Sequence, residues 1–287
     1  MTDRLRRSFL YTPADDPEMM AKAADTDADA VIFDLEDAVP DDAVPGAREN
    51  VGDVLADASF GGTETCVRIN GYRTDMWLDD LLGSVEAGID TVILPMLETP
   101  SELETFVSVA RQADGTTPEF VATVETPRGL SAIEDIADRG AAFSEVTALS
   151  FGFGDYTNAI GATGRPARVR EHANLQVVGA AASAGLAPLA TVYQDFRDTE
   201  GLREAAERAR EIGYVGQKAI HPAQIEVLND VYTPTDEEVE QARRFVETFA
   251  ESPKDSIVVD GVFLDTAIVE QYETVLARHE EITGVSS

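Results

Sequence analysis

Short apolar runs alternate with amphipathic segments along most of the chain. Eight runs have the length and composition of buried strands, and each is followed by ten or more residues with helical spacing. This alternation is typical of parallel strand-helix-strand units, and eight of them predict an α/β fold, a TIM (β/α)8 barrel. The predicted strands are residues 8–12, 30–35, 65–69, 91–95, 120–125, 148–153, 189–193 and 217–220.

The pattern changes after about residue 232, where two helical segments, 235–251 and 266–281, flank a short strand-like stretch. A barrel of eight units takes about 250 residues. The 287 residues therefore predict a barrel domain, 1–231, followed by a C-terminal helical extension, 232–287. A barrel already has its outer helices, so the extension needs another surface to cover, either its own barrel or a neighbouring subunit.

Two predicted helices begin with a capping box, in which a Ser or Thr side chain and a Glu three residues later each bind a backbone N–H group of the other. The two pairs are Ser101 with Glu104 and Thr235 with Glu238.

The charge of the chain is strongly acidic. It has 54 Asp and Glu against 22 Lys and Arg, of which 3 are Lys, for a formal net charge of -32. Affinity for nucleic acids and anionic membranes depends on Lys and Arg neutralising phosphates, so neither is an expected partner. In molar salt the Debye length falls to about 3 Å, which screens self-repulsion. The composition therefore indicates a protein from a high-salt cytoplasm.

The cysteine content and the lengths of the apolar runs indicate in which compartment the protein is expected. The single cysteine, Cys66, excludes an intramolecular disulfide and lies in an apolar strand, where it is expected to fill the core. The N-terminal apolar run is too short for a signal peptide, and no run approaches the roughly 18 apolar residues of a membrane span. We expect a cytoplasmic protein.

Polar side chains follow or end several of the predicted strands. In a closed barrel the C-terminal ends of the strands carry the chemistry, because the loops there vary without disturbing the packed interior. The residues expected to share one cleft at this end are Asp34, Glu36, Asp37, Arg68, Asn70, Glu125 and Asp155.

Carboxylates crowded into one cleft repel each other unless protons or a cation intervene. Hard oxygen ligands without a cluster of His or Cys favour Mg²⁺, with Glu125 and Asp155 as its ligands. Gly152 and Gly154 would let the backbone approach a ligand closely and present Asp155. The alternative is that both acids are ordinary strand-end or helix-cap residues.

Two further side chains are candidates for substrate binding. The planar guanidinium of Arg68 suits a substrate carboxylate bound through two hydrogen bonds, and structural pairing with Glu36 or Asp37 is the alternative. His221 follows the eighth predicted strand and would either orient substrate or hydrogen-bond a loop. The chain has no G-x-G-x-x-G, P-loop, H-E-x-x-H or G-x-S-x-G motif, so nucleotide-binding, zinc-protease and esterase interpretations have no motif support.

Eight segments, in order, resemble the motifs of the citrate lyase beta-subunit-like acyl-CoA lyases. They are residues 7–14, 31–39, 67–70, 124–126, 151–155, 194–198, 219–224 and 260–265. The resemblance covers nearly the whole chain. It implies a TIM barrel in a homo-oligomer, a trimer or hexamer.

The resemblance also implies roles for individual residues. Glu125 and Asp155 would hold Mg²⁺, and Arg68 would bind the carboxylate of an α-keto acid. Glu36 and Asp37 would form an acidic rim beside the metal.

The remaining roles concern proton transfer and substrate contact. Asp265 matches the family's aspartate in the extension and would be the acid/base, entering from a neighbouring subunit. Gly154 and His221 are expected to contact substrate.

The implied reaction is the reversible cleavage of a 3-hydroxyacyl-CoA, of malyl-CoA or citramalyl-CoA type, to an acyl-CoA and an α-keto acid such as glyoxylate or pyruvate. Three alternatives stay open. One is thioester hydrolysis, as in a malyl-CoA thioesterase or malate synthase. Another is the beta subunit of a citrate lyase complex acting on an acyl-carrier-protein thioester. The last is a catalytically silent barrel that serves as an interaction or structural protein.

Three positions depart from the family pattern by losing a cation. Met96 and Gln217 stand where members commonly have Lys, and Asn174 stands where they commonly have Arg. A charge-assisted hydrogen bond contributes about 1.5 to 3 kcal/mol, which matters for the phosphates of coenzyme A. Lys218, displaced by one position from Gln217, is a candidate to compensate.

Overall fold

A computed structural model describes residues 4–164 and 166–284. Eight parallel strands follow one another around a closed barrel, and the last pairs with the first. The predicted α/β barrel is confirmed, and each predicted strand overlaps an observed one. The strands are β1 (Ser8–Pro13), β2 (Ala30–Asp34), β3 (Glu64–Arg68), β4 (Thr91–Leu94), β5 (Glu119–Val124), β6 (Val146–Phe151), β7 (Ala187–Ala190) and β8 (Gly216–Ala219).

Helices connect successive strands and follow the last one. Each buries an apolar stripe and leaves charged residues on its outer face. Among the described helices, none combines the length and the apolar character needed to cross a membrane. The helices are α1 (Pro17–Ala23), α2 (Val44–Asp57), α3 (Trp77–Ala87), α4 (Pro100–Gln112), α5 (Pro127–Ser131), α6 (Ile133–Ala141), α7 (Phe153–Ala159), α8 (Ala167–Ala184), α9 (Thr199–Glu211) and α10 (Ile225–Val231), the last preceded by a 3-10 turn, Pro222–Gln224.

Inward-facing apolar side chains fill the middle of the barrel. Cys66 belongs to this cluster and is fully buried, so its packing role is the one that the sequence indicated. The other fully enclosed members are Phe9, Ala30, Ile32, Ile93, Val121, Ala148 and Leu189. Because the middle is packed, chemistry is confined to the two ends of the barrel.

A buried arginine occupies the N-terminal end of the barrel. Arg6 is 2% exposed, and its guanidinium lies 2.6 Å from carboxylate oxygens of both Glu64 and Glu119. It also donates to the hydroxyls of Thr91 and Thr147, at 3.3 and 2.8 Å. A buried ion cluster is tolerated only when its hydrogen-bonding groups find partners, and here they do. The network closes this end and leaves the opposite end for a site.

The chain divides into two compact units, Arg6–Asn229 and residues 230–284 together with Arg4 and Leu5. The second unit contains α11 (Asp236–Ala250), a hairpin of β9 (Ser256–Val259) and β10 (Val262–Asp265), and α12 (Thr266–Thr283). Asp260 and Gly261 turn the hairpin with φ of 51° and 83°, the positive pair that a type I′ turn requires. Phe245, Leu264 and Val269 form its core, so a helical extension follows the barrel as predicted.

One of the two predicted capping boxes is confirmed and the other is wrong. Thr235 and Glu238 cap α11 in both directions. At α4 the box is instead made by Thr99 and Glu102, two residues earlier than predicted. Pro100 explains the difference, because it occupies the first helical position and leaves the preceding residue as the cap.

The acidic side chains lie mostly at the surface. In the part of the chain that the structure describes, the buried acids are Asp34, Glu64, Asp80, Glu102 and Glu125. The remaining carboxylates reach solvent, where repulsion among them depends on ionic strength.

We therefore expect the protein to be more stable in concentrated salt. Raising KCl from about 0.1 to about 2 M should raise the midpoint of thermal unfolding by roughly 5 to 10 °C, because screening removes a few kcal/mol of repulsion. Circular dichroism melts measure this change. Sorbitol of equal osmolarity is the uncharged control, and a midpoint that is flat or falls in KCl would contradict the expectation.

Candidate active site

A cleft of about 390 Å³ opens at the C-terminal ends of the barrel strands. Residues from seven of the eight strand ends line it, so the barrel closure itself brings them together. Its charged lining residues are Asp34, Asp37, Arg68, Glu125, Asp155 and Lys218.

Arg68, at the end of β3, has all three of its guanidinium nitrogens engaged. Nε and Nη2 donate to the two oxygens of Asp34 at 2.7 and 2.6 Å. Nη1 lies 3.0 Å from a carboxylate oxygen of Glu36 and 2.9 Å from one of Asp37. The guanidinium also stands 4.9 Å from the centre of the Tyr11 ring. In this structure Arg68 makes the structural pairing, and it holds the acidic rim in place.

Glu125 directly follows β5, and its side chain is buried against backbone. Its Oε1 accepts a hydrogen bond from the Met96 N–H group at 3.2 Å. Met96 has φ of 54°, a left-handed conformation that is uncommon for residues other than glycine and that often marks functional sites. A Cβ at Gly152 would lie 2.5 Å from Cδ of Glu125 and 2.7 Å from its Cγ. Only glycine at position 152 therefore leaves room for this carboxylate.

Asp155 lies in the first turn of α7, where it is exposed. The sixth strand ends at Phe151, two residues before its predicted end, because the chain turns into the helix at Gly152. Asp155 is thus a helix residue that lines the cleft, not a strand-end residue. Gly154 also lines the cleft, and a Cβ there would meet no atom within 4 Å.

Burial and crowding set the electrostatics of the site. Burial raises the pKa of Glu125, and the neighbouring charge of Asp155 raises it further. Burial likewise raises the pKa of Glu36 to about 9, against the lowering effect of Arg68. Burial lowers the pKa of Lys218, and Glu125 opposes this effect. A buried carboxylate gives up its proton more readily when an additional cation is close.

The donor set of this site fits a hard divalent cation. Within residues 4–164 and 166–284, no three His, Cys, Asp or Glu side chains form a group that could hold a metal ion. Glu125 and Asp155 both line the cleft and repel each other electrostatically. Two carboxylates is the number that Mg²⁺ commonly takes from a protein, with water and substrate oxygens completing its shell. The absence of a side chain at Gly152 is what lets the Glu125 carboxylate occupy this position.

Two buried hydroxyl groups on β5 and β6 have no hydrogen-bond partner among the described residues. Thr123 and Ser150 are paired across β5 and β6, and both hydroxyl oxygens are buried without a hydrogen-bond partner in the described residues. Thr123 lines the cleft. Buried hydroxyls normally find a partner, so this part of the cleft floor is shaped to receive a polar ligand or water.

Asn70 and His221 do not line the cleft. Asn70 was expected there, but its side chain donates to Asp80 at 2.8 Å and to the backbone carbonyl of Leu35 at 3.1 Å. This contact arises because the buried Asp80 needs donors. His221 caps the 3-10 turn by accepting from the N–H group of Ala223 at 3.1 Å, and its role toward substrate stays a prediction.

Asp265 belongs to the second unit. It ends β10, is half-buried, and caps α12 by accepting a hydrogen bond from the Ile268 N–H group at 3.0 Å. Its predicted action as an acid/base from a neighbouring subunit stays a prediction.

Lys218, which the sequence named as a candidate to compensate for the cation lost at Gln217, is a charged residue of the cleft lining. It is the inward-facing residue of β8, whereas Gln217, next to it, is buried outside the cleft lining. Side chains alternate between the two faces of a strand, which could have distinguished Lys218 from Gln217. A strand of 4 residues, however, is too short to show from sequence which of its faces is inside. Asn174 lies on α8 and accepts a hydrogen bond from the Tyr214 hydroxyl at 3.2 Å.

Comparison with known proteins gives consistent matches over the chain. The family model described as HpcH/HpaI aldolase/citrate lyase matches residues 7–222. A protein named (3S)-malyl-CoA thioesterase from Cereibacter sphaeroides (strain KD131 / KCTC 12085) is 34% identical over 282 residues, covering 97% of this chain and 96% of the relative. The citrate lyase subunit beta of Leuconostoc mesenteroides subsp. cremoris is 30% identical over 284 residues, covering 96% and 93%.

Solved structures give the same result. The CitE protein of Mycobacterium tuberculosis, in complex with magnesium, acetoacetate and coenzyme A, superposes with a TM-score of 0.82 at 29% identity. The match covers 97% of this chain and 99% of that protein. RipC from Yersinia pestis superposes with a TM-score of 0.69 at 29% identity, over 83% of this chain and 100% of RipC.

The contact between Gly152 and Glu125 generates a prediction about metal binding. Gly152→Ala should weaken binding of Mn²⁺, used in place of Mg²⁺, by about 10- to 100-fold, because the new methyl group displaces the carboxylate. Electron paramagnetic resonance of free Mn²⁺ measures the affinity. Gly154→Ala is the matched control, since its Cβ enters open space. Equal Mn²⁺ affinity in the two variants would contradict the assigned role of Glu125.

Proposed function

The chain belongs to the HpcH/HpaI aldolase/citrate lyase family, and from that premise we propose that it is a Mg²⁺-dependent carbon-carbon lyase. The proposed reaction is the reversible cleavage of a 3-hydroxyacyl-CoA of malyl-CoA or citramalyl-CoA type. The products are an acyl-CoA and an α-keto acid, glyoxylate or pyruvate.

One observation carries this proposal, namely the pair of carboxylates at the open end of the barrel with glycine beside the buried one. Glu125 and Asp155 would hold the metal. The related CitE protein is described with magnesium and acetoacetate, a small keto acid, together with coenzyme A. A site for a hard cation and a keto acid in this cleft agrees with that relationship.

When bound, Mg²⁺ would supply Lewis-acid stabilisation of the negative charge that develops on an oxygen of the keto acid, which is worth several kcal/mol. The chain's own residues do the rest. Arg68 fixes Asp34, Glu36 and Asp37 as a rim. To bind the keto-acid carboxylate as well, Arg68 would exchange its contacts with the acids at positions 36 and 37. Enclosure of the site limits access of water to the enolate.

Asp265 is the proposed acid/base, supplied by a neighbouring subunit of a homo-oligomer. In the cleavage direction the hydroxyl proton leaves as the carbon-carbon bond breaks, and a proton is added to the alpha carbon of the thioester. The acyl-CoA and the keto acid then account for every atom of the substrate. In the reverse direction Asp265 removes the alpha proton of the acyl-CoA.

Hydrolysis of the thioester is a second candidate, because the relative that is 34% identical is named a (3S)-malyl-CoA thioesterase. A malate-synthase type of reaction would likewise release free coenzyme A after condensation. A third candidate function is that of the beta subunit in a citrate lyase complex. The citrate lyase subunit beta of Leuconostoc mesenteroides subsp. cremoris is 30% identical over nearly the whole chain. Products separate these functions, and so does activity of the isolated chain on free coenzyme A thioesters.

We expect purified protein with Mg²⁺ to convert malyl-CoA or citramalyl-CoA to a keto acid and an intact acyl-CoA, identified by mass spectrometry. Glu125→Gln and Asp155→Asn should each lower this rate by about 100-fold or more, because they remove charge from the metal site. Addition of EDTA should abolish it in the wild type. Accumulation of free hydroxydiacid and coenzyme A would instead assign the thioesterase.

Asp265→Asn should lower kcat by about 10²- to 10⁴-fold, the usual contribution of a general acid or base. Its stability should be unchanged, because Asn also caps a helix. Asp260→Asn, in the turn of the same hairpin, is the matched control and should keep full activity.

A mixing experiment tests whether Asp265 acts on a neighbouring subunit. Asp265→Asn and Asp155→Asn chains, denatured together and refolded, should regain part of the wild-type rate. A site that combines the barrel of an Asp265→Asn chain with the extension of an Asp155→Asn chain would hold both intact acids, whereas the reciprocal pairing would hold neither. Failure to regain activity, with both variants folded and oligomeric, would place Asp265 elsewhere.

A further inference from the structure

Lys218 lies inside the cleft on the short strand β8. Its register partner on β1 is Phe9, a residue of the packed barrel interior, so both side chains point inward. Lys218 is 4% exposed and lines the cleft, and Glu125 is its strongest electrostatic partner. A lysine ammonium is strongly hydrated, so burying it in this position needs an anion close by.

The acids of the chain itself do not occupy this ammonium. Among the described residues no hydrogen bond and no close ion pair involves Lys218. Arg68, the other cation of the cleft lining, is in the opposite state, because Asp34, Glu36 and Asp37 take all of its guanidinium nitrogens. An anion that enters the cleft therefore meets Lys218 directly, whereas Arg68 must first exchange its contacts with Glu36 and Asp37.

A second observation also indicates a ligand at this place. The hydroxyl oxygen of Thr123 is buried, faces the same cleft and has no hydrogen-bond partner within the described residues, and that of Ser150 beside it is in the same state. A carboxylate accepts hydrogen bonds from hydroxyl and ammonium groups alike, so a carboxylate bound in the cleft, directly or through an ordered water, would satisfy the two groups that line it, Thr123 and Lys218.

We propose that Lys218 binds a carboxylate of the keto-acid half of the substrate at the floor of the cleft. The inference rests on the proposed lyase function and adds a substrate-binding residue to it. The position is set by strand alternation, since a cation at Gln217 would lie outside the cleft lining, whereas one at Lys218 lies within it. The chain thus carries its substrate-facing charge on the inner side of β8.

The test measures binding of pyruvate, in the presence of Mg²⁺, to the full chain by isothermal titration calorimetry. Lys218→Met keeps the length of the side chain and removes its charge, and it should raise the Kd for pyruvate by about 10- to 100-fold. Gln217→Met, the neighbouring buried residue on the other face of the strand, should leave the Kd unchanged. Acetyl-CoA, which lacks the keto-acid carboxylate, should bind both variants like the wild type.

Binding of Mn²⁺ without pyruvate separates direct contact from support of Glu125. Lys218→Met should bind Mn²⁺ as tightly as the wild type or more tightly, because a repelling cation has been removed. Parallel loss of Mn²⁺ and pyruvate affinity would overturn the proposal, and so would an unchanged Kd for pyruvate. If Lys218→Met does not fold, Lys218→Gln replaces it. Absence of Mg²⁺-dependent pyruvate binding in the wild type would instead refute the proposed function.

Discussion

Crowding of negative charge at one end of the barrel is the constraint on which the site depends. Five carboxylates, Asp34, Glu36, Asp37, Glu125 and Asp155, meet at the strand ends, and two cations, Arg68 and Lys218, face them. Burial, together with this excess of negative charge, raises the pKa of Glu36 and Glu125, and either bound protons or a metal ion relieves the repulsion. The two cations differ in their surroundings. Arg68 is fixed among Asp34, Glu36 and Asp37, whereas the buried Lys218 lines the cleft.

The sequence predicted the barrel, and it placed the ends of six strands to within one residue, because eight apolar runs of the right length were separated by helical patterns. The end of β7 was predicted at residue 193, whereas the strand ends at Ala190. The sequence placed the end of β6 too late, since Phe153 is as apolar as a strand residue but already belongs to α7. It also placed the α4 capping box two residues too late, because Ser101 and Glu104 have the same spacing as the true pair. Local pattern identifies an element better than it fixes its boundary.

The side chains of the site were predictable by type and less so by contact. Arg68 could have bound either a substrate or its acidic neighbours, and only the three-dimensional structure shows it paired with Asp34. Asn70 has the polarity of a site residue, but the buried Asp80, ten positions later, takes its side chain. Lys218 was recognised as a candidate cation, but its place in the cleft lining could not be fixed, because a strand of 4 residues does not establish which face is inside. These outcomes depend on contacts between distant parts of the chain.

The arginine network at the other end of the barrel has a practical consequence. Arg6 links the starts of several strands through Glu64, Glu119 and two threonine hydroxyls, and its contacts among the described residues do not include Asp34, Glu36, Asp37 or Arg68. The N-terminal and C-terminal ends of the barrel can therefore be mutated separately in protein engineering. Mutant libraries aimed at new substrates can vary the loops at the C-terminal ends of the strands, while the Arg6 network holds the N-terminal ends together. Conversely, thermostability screens can be directed at the end that Arg6 closes, away from the residues that line the cleft.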